Sequence, residues 1–141
     1  MAELDLGGLP PGALLLIDTA PIVYQLEAHP AFGPRFQSVF EAHAAGEVRF
    51  AVTTVTFAEV LTGPLRAGDE ALARRYRAVL EAWQVVTLDA DIAETAARLR
   101  ATLGLKLPDA VQAASALAVN AAALVTHDRD FNRLSGLRVI R

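Results

Sequence analysis

The sequence predicts an α/β domain with a central parallel sheet flanked by helices. Three observations carry this: short apolar strands alternate with amphipathic helical segments, the connections between them are short, and two of the strands run directly into an aspartate. With 141 residues the chain is long enough for one domain with a real core. At 53% hydrophobic and 21% charged residues it is neither disordered nor a charged tail.

The first strand is expected at 14–17, where the run Ala13-Leu14-Leu15-Leu16-Ile17 stops at Asp18. A helix follows from Asp18-Thr19 to about Ala28, with Pro21 tolerated in its first turn. A second helix is read over 36–45, closed by Gly46. The β-branched and aromatic residues at 48–52 predict a strand. The next helix opens at Thr56 and is closed by Gly63-Pro64. Over 70–83, Leu72, Tyr76, Val79 and Trp83 recur at spacings of three and four, with Arg74, Arg75 and Arg77 opposite. A short strand is expected at 85–88. Asp89 then caps a helix that ends at Gly104. Pro108 marks the first turn of a further helix reaching Val119, and strands at 122–125 and 137–140 complete the sheet. Residues 1–13 read as a leader and 14–141 as the domain.

Several function classes are excluded at this level. The chain has no cysteine, hence no disulfide, thiolate nucleophile or Cys-ligated zinc. Residues 1–12 carry no basic segment ahead of an apolar one, and no apolar run approaches the roughly 20 residues of a membrane span. A cytoplasmic protein is expected. The net charge is -3, from 13 basic and 16 acidic residues. If four of those acids form a metal site, twelve remain against 13 bases, and the balance neither favours nor opposes RNA.

Those four are Asp18, Glu59, Asp109 and Asp128. In a parallel sheet, sites form beyond the carboxyl ends of the strands, where Asp18 and Asp128 fall. Asp18 has two readings, a helix N-cap or a metal ligand; Thr19 is an equally good cap and would free it. Glu59 matches a capping box in Thr56-Phe57-Ala58-Glu59, yet Phe57, Val60 and Leu61 beside it suggest an inward face. Asp109 suits the first turn of a helix electrostatically. Its neighbours Leu105, Leu107, Ala110, Val111, Ala113 and Ala114 are apolar, leaving Lys106 and Gln112 as the polar company. In Thr126-His127-Asp128-Arg129-Asp130-Phe131 one aspartate is expected to face the site and the other to organise the loop. Thr126 is a candidate to hydrogen-bond a ligating carboxylate. His29 and His43 are expected near the surface of helices, and His127 is either a substrate contact or turned away. Carboxylates so clustered need cations to remain ionised together, and an all-oxygen set favours Mg2+ or Mn2+.

The four motifs in order resemble the PIN-domain ribonucleases, and among them the VapC-like toxins of type II toxin–antitoxin systems. Leu16-Ile17-Asp18-Thr19 is similar to the family's opening strand and first acid. Thr56-Phe57-Ala58-Glu59-Val60-Leu61 resembles its second motif, Leu107-Pro108-Asp109-Ala110-Val111-Gln112-Ala113-Ala114 its third, and Val125-Thr126-His127-Asp128-Arg129-Asp130-Phe131 its fourth. The chain departs from the pattern in having His127 where asparagine is common, and in its long leader. The resemblance implies a PIN-like three-layer domain and a Mg2+- or Mn2+-dependent endoribonuclease leaving a 5′-phosphate and a 3′-hydroxyl. In it Asp18 and Asp109 are the main ligands, and Glu59 and Asp128 complete the pocket. It also implies a homodimer and a small cognate antitoxin that places a basic residue near Asp18 and Asp109. Apolar residues of the first two helices, Val23, Tyr24, Leu26, Phe32, Phe36, Val39 and Phe40, are candidates for such an interface or for core. The alternative is a PIN-type nuclease acting in RNA processing or on DNA without an antitoxin. A phospho-receiver domain is disfavoured: Asp18 has no acidic neighbour and no lysine follows Lys106.

Overall fold

The computed structural model describes residues 3–141. Five parallel strands lie in the order β3-β2-β1-β4-β5: β1 (Ala13–Ile17), β2 (Val48–Thr53), β3 (Gln84–Val86), β4 (Ala123–Val125) and β5 (Val139–Ile140). The order reverses direction between β1 and β4, so a crevice opens at their carboxyl ends. β1 is buried from end to end because helices cover both faces. Its residues alternate between the layers. Leu15 and Ile17 pack with α1 (Thr19–Leu26), α2 (Gly33–Ala44), α3 (Thr54–Arg66) and α4 (Glu70–Glu81). Leu14 and Leu16 pack with α5 (Ala90–Leu103) and α6 (Leu107–Ala118). Leu15, Leu16 and Ile17 are fully excluded from water, each contributing about 1.5–3 kcal/mol of burial. Small residues in α6 (Ala110, Ala113, Ala114 and Ala116) are likewise fully buried and let this helix lie close to the sheet.

The three-layer arrangement expected from the sequence is present, with several boundaries moved for local reasons. α3 begins two residues before Thr56, because the Thr53 side chain accepts from the Thr56 amide at 3.2 Å and acts as the cap. It also continues past Gly63-Pro64: Pro64 is buried inside the last turn, and the carbonyls of Gly63 and Pro64 accept from Ala67 and Asp69. α2 starts earlier than expected, with a proline at its first positions. In α4 the buried residues are Ala73 and Leu80, and Val79, expected on the inner stripe, is 38% exposed. His29 lies in the connection after α1 rather than on a helix. A 3-10 helix at Arg129–Arg133, not anticipated, seats Phe131 fully buried in the α6 layer.

Residues 3–12 are docked on the domain. Leu4 is part of the core beneath α2, and Leu6 and Leu9 pack against it. The Arg138 guanidinium donates to the carbonyls of Gly7 (2.8 Å) and Asp5 (3.0 Å). Met1 and Ala2 of the expected leader lie outside the described residues. Of the apolar residues of the first two helices expected as core or interface, Phe36 and Val39 are buried in the core, Val23, Tyr24, Leu26 and Phe40 pack half-buried against it, and Phe32 is half-buried beside Tyr24 and His127.

Asp89 caps α5 as expected, accepting from the Ile92 amide at 2.8 Å. Asp89→Ala is expected to cost about 1 kcal/mol, lowering Tm by roughly 2–4 °C for a chain of this size. Asp89→Asn should leave Tm nearly unchanged, since asparagine caps equally well. Thermal unfolding monitored by circular dichroism reads both.

Candidate metal centre

Asp18 follows β1 directly, and its amide donates to the Val125 carbonyl at 2.8 Å, which stitches it to the end of β4. Its side chain does cap α1, accepting from the Thr19 amide at 2.9 Å. The expectation that Thr19 takes this duty is therefore corrected: the Thr19 hydroxyl instead faces Thr56 at 2.8 Å and Glu59 at 2.9 Å. Capping does not consume Asp18. Its Oδ1 also accepts from Gln112 Nε2 (2.9 Å), and Oδ2 accepts from Thr126 Oγ1 (2.8 Å). Thr126 is fully buried and takes the expected supporting position.

Glu59 is exposed and sits too deep in α3 for a capping box, because the cap is Thr53 and not Thr56. It bonds the Thr19 side chain instead of its own helix start. Asp109 lies in the first turn of α6. Its Oδ2 is buried without a hydrogen-bond partner, a costly position for a carboxylate oxygen unless a cation meets it. Burial pushes the Asp109 pKa up to about 7, reinforced by the charges of Asp128, Asp18 and Asp130.

Of Asp128 and Asp130 one was expected to face the site and the other to organise the loop; the structure has Asp128 organising the loop and grouped with both Asp109 and Asp130. Asp128 Oδ1 accepts from the Asp130 amide at 2.8 Å, and its own amide donates to Thr126 Oγ1 at 3.0 Å. One oxygen each from Asp109, Asp128 and Asp130 lie within 4.8 Å of one another. Hard cations bind carboxylate oxygens at about 2.0–2.6 Å, so three oxygens at this spacing fit one ion. The donor set, all oxygen and all anionic, suits a divalent metal. Asp130 was not singled out as a ligand from the sequence; its signal was the Asp-x-Asp spacing that a tight 3-10 turn brings to one side.

His127 is turned toward an aromatic cluster. Its Nδ1 lies 2.8 Å from the Tyr24 hydroxyl, with the rings of Phe32 and Phe36 at 4.6 and 5.7 Å. Burial, then the nearby charge of Asp18, raises the Tyr24 pKa and keeps the phenol protonated. Lys106 is exposed at the start of α6 and caps it without a side-chain bond.

The fold is thus a doubly covered parallel sheet with an acidic group beyond the carboxyl ends of its central strands. The PIN domain family model matches residues 15–137, and the chain belongs to that family. Among solved structures it is similar to a toxin–antitoxin complex from Klebsiella pneumoniae, at 27% identity and a TM-score of 0.68, covering 87% of this chain and 94% of that one. It is also similar to VapBC-5 from Mycobacterium tuberculosis, a member of the VapBC family of toxin–antitoxin systems, at 26% identity and a TM-score of 0.60, covering 92% and 98%. VapBC2 from Rickettsia felis, bound to a promoter DNA fragment, shares the fold at 20% identity and a TM-score of 0.70, covering 89% and 96%. No curated protein matches the chain. None of the helices among the described residues is long and apolar enough to cross a membrane.

Proposed function

We propose that the chain is a cytoplasmic, Mg2+- or Mn2+-dependent endoribonuclease and the toxin half of a toxin–antitoxin pair. The observation that carries this is the partly buried Asp109, which has an oxygen without a hydrogen-bond partner and shares one acidic group with Asp128 and Asp130. Asp109, Asp128 and Asp130 would hold the metal; Asp18, expected beside Asp109 as a main ligand, and Glu59 lie outside that group of oxygens and would border it, tied to each other through Gln112, Thr56 and Thr19. A divalent ion there supplies a Lewis acid for the phosphoryl oxygens and lowers the pKa of a bound water. The protein's own part is to fix the carboxylates before substrate arrives. Asp18 is held by α1, α6 and β4 at once, and Asp128 is held by its own turn. RNA is the substrate class that the family likeness supports, and a homodimer with a small antitoxin is the assembly that the toxin–antitoxin neighbours support.

The test is cleavage of an RNA panel that includes structured transfer and ribosomal RNAs, by protein free of any partner. Cleavage is expected with Mg2+ or Mn2+ and is expected to stop with EDTA. Asp18→Asn, Glu59→Gln and Asp128→Asn should each be severely impaired while folded. No metal-dependent cleavage by verified inhibitor-free protein would overturn the assignment, and activity in Asp18→Asn equal to the unmodified chain would remove Asp18 from it. Light scattering tests the dimer; co-purification of a small inhibitory protein from the native cell tests the antitoxin.

A further inference from the structure

Gln112 is 1% exposed, on the face of α6 that meets the sheet, among alanines. An amide buried there requires a partner for each of its groups, and each has one. Its Oε1 accepts from the Thr53 hydroxyl at 2.7 Å. Its Nε2 donates to Asp18 Oδ1 and to Thr56 Oγ1, both at 2.9 Å. These contacts fix the orientation of the amide, since the opposite one would set an oxygen against a carboxylate.

The proton directions along the rest of the chain of groups then follow. Thr53 has one proton, and the 2.7 Å bond to Gln112 takes it in preference to the 3.5 Å contact with Thr56 Oγ1; Thr53 accepts from the Thr56 amide at 3.2 Å. Thr56 Oγ1 accepts from Gln112 and has its own proton to place; the Thr19 hydroxyl lies 2.8 Å away. Thr19 in turn donates to Glu59 Oε1 at 2.9 Å. The donors therefore all run one way, from the buried end of β2 outward, and they terminate on two anions.

We propose that Gln112 is the positioning residue of the pocket, sending hydrogen-bond donors to Asp18 directly and to Glu59 through Thr56 and Thr19. This rests on the nuclease reading of the pocket and extends it. The consequence for Asp18 is specific. With Thr19 and Gln112 on Oδ1 and Thr126 on Oδ2, three of about four acceptor sites are filled. One site on Oδ2 remains, so Asp18 meets a cation or a water through a single oxygen. Glu59, on a different helix, is held to the same framework, so the two acids keep a fixed relation.

The test has an arm that needs no activity. In 1H–15N NMR spectra of the full metal-free chain, the Gln112 side-chain amide should be protected from solvent exchange. Its resonances should move in Asp18→Asn and in Thr56→Val. An amide that exchanges like a free glutamine, or one unmoved by Asp18→Asn, would overturn the proposal whatever the protein cleaves. In the RNA assay, Gln112→Met should lower kcat about 10–100-fold, the range for outer-sphere partners, with KM within about threefold. Added to Asp18→Asn it should cost little more, because the acid it orients is already altered; full additivity would overturn the proposal. If Gln112→Met does not fold, the threonine carries the decision: Thr56→Ser keeps the hydroxyl and should stay near the unmodified rate, whereas Thr56→Val should fall about tenfold. Equal rates for these two would overturn the relay. A protected, Asp18-sensitive amide in a protein that cleaves no RNA would uphold the network and reject the nuclease reading instead.

Discussion

Asp109→Asn is expected to abolish metal-dependent cleavage while raising the thermal stability of the metal-free protein. The loss of rate should exceed about 100-fold, since removing a ligand costs more than removing an outer partner. The gain in stability has a separate origin. Asp109 is partly buried and its negative form is opposed by Asp128, Asp18 and Asp130. Asparagine keeps the shape and drops the charge. Allowing for solvent screening of a group that is not fully buried, the relief is on the order of 1 kcal/mol, or roughly 2–4 °C in Tm. Unfolding in EDTA at pH 8 reads it. A Tm that falls instead would mean that the carboxylate is a structural group of the α6 turn and not a cation site.

The second large effect is on pH. The Asp109 carboxyl has its pKa raised to about 7 in the folded, metal-free chain, against an ordinary value near 4. Between those two values the folded state binds a proton that the unfolded state has released. Stability of the metal-free protein is therefore greatest, on this account, at low pH and declines as pH rises through about 7. Metal binding has the opposite dependence, because the ligand must be deprotonated. Mn2+ affinity should rise about tenfold per pH unit up to about pH 7 and then level off. Titration calorimetry from pH 5 to 8 should show this slope and a released proton. In Asp109→Asn the slope should flatten. A pH-independent affinity in the unmodified chain would exclude Asp109 as the titrating ligand.

Much of the fold was legible because its signals are local. Asp89 and Gly104 delimit α5 as their capping chemistry requires, and the apolar run that stops at Asp18 marks both a strand and its exit. The site was legible where an acid interrupts an apolar stretch, as at Asp18 and Asp109. It was obscure where a partner is distant in sequence. Thr56-Phe57-Ala58-Glu59 has the spacing of a capping box, but Thr53 takes the helix start and leaves Glu59 to Thr19, 40 residues away. Gln112 read as a polar neighbour of Asp109; its partners Thr53 and Asp18 are 59 and 94 residues off. Val79 fits the helical period of α4 and still faces water, since periodicity identifies a stripe but not the surface available to cover it.

The clamp between Arg138 and the segment 5–7 bears on where this molecule can be cut. The span that carries the family signature, residues 15–137, stops short of β5 and begins after the docked segment that holds Leu4 in the core. A fragment trimmed to that span would take away the carbonyls of Arg138 and Ile140 that accept from the Leu124 and Thr126 amides. β4 would become a bare sheet edge, open to pairing with other chains, with its last residue two positions from His127 and three from Asp128. Tags and truncations therefore belong outside the span from Leu4 to Ile140, both of which lie in the core.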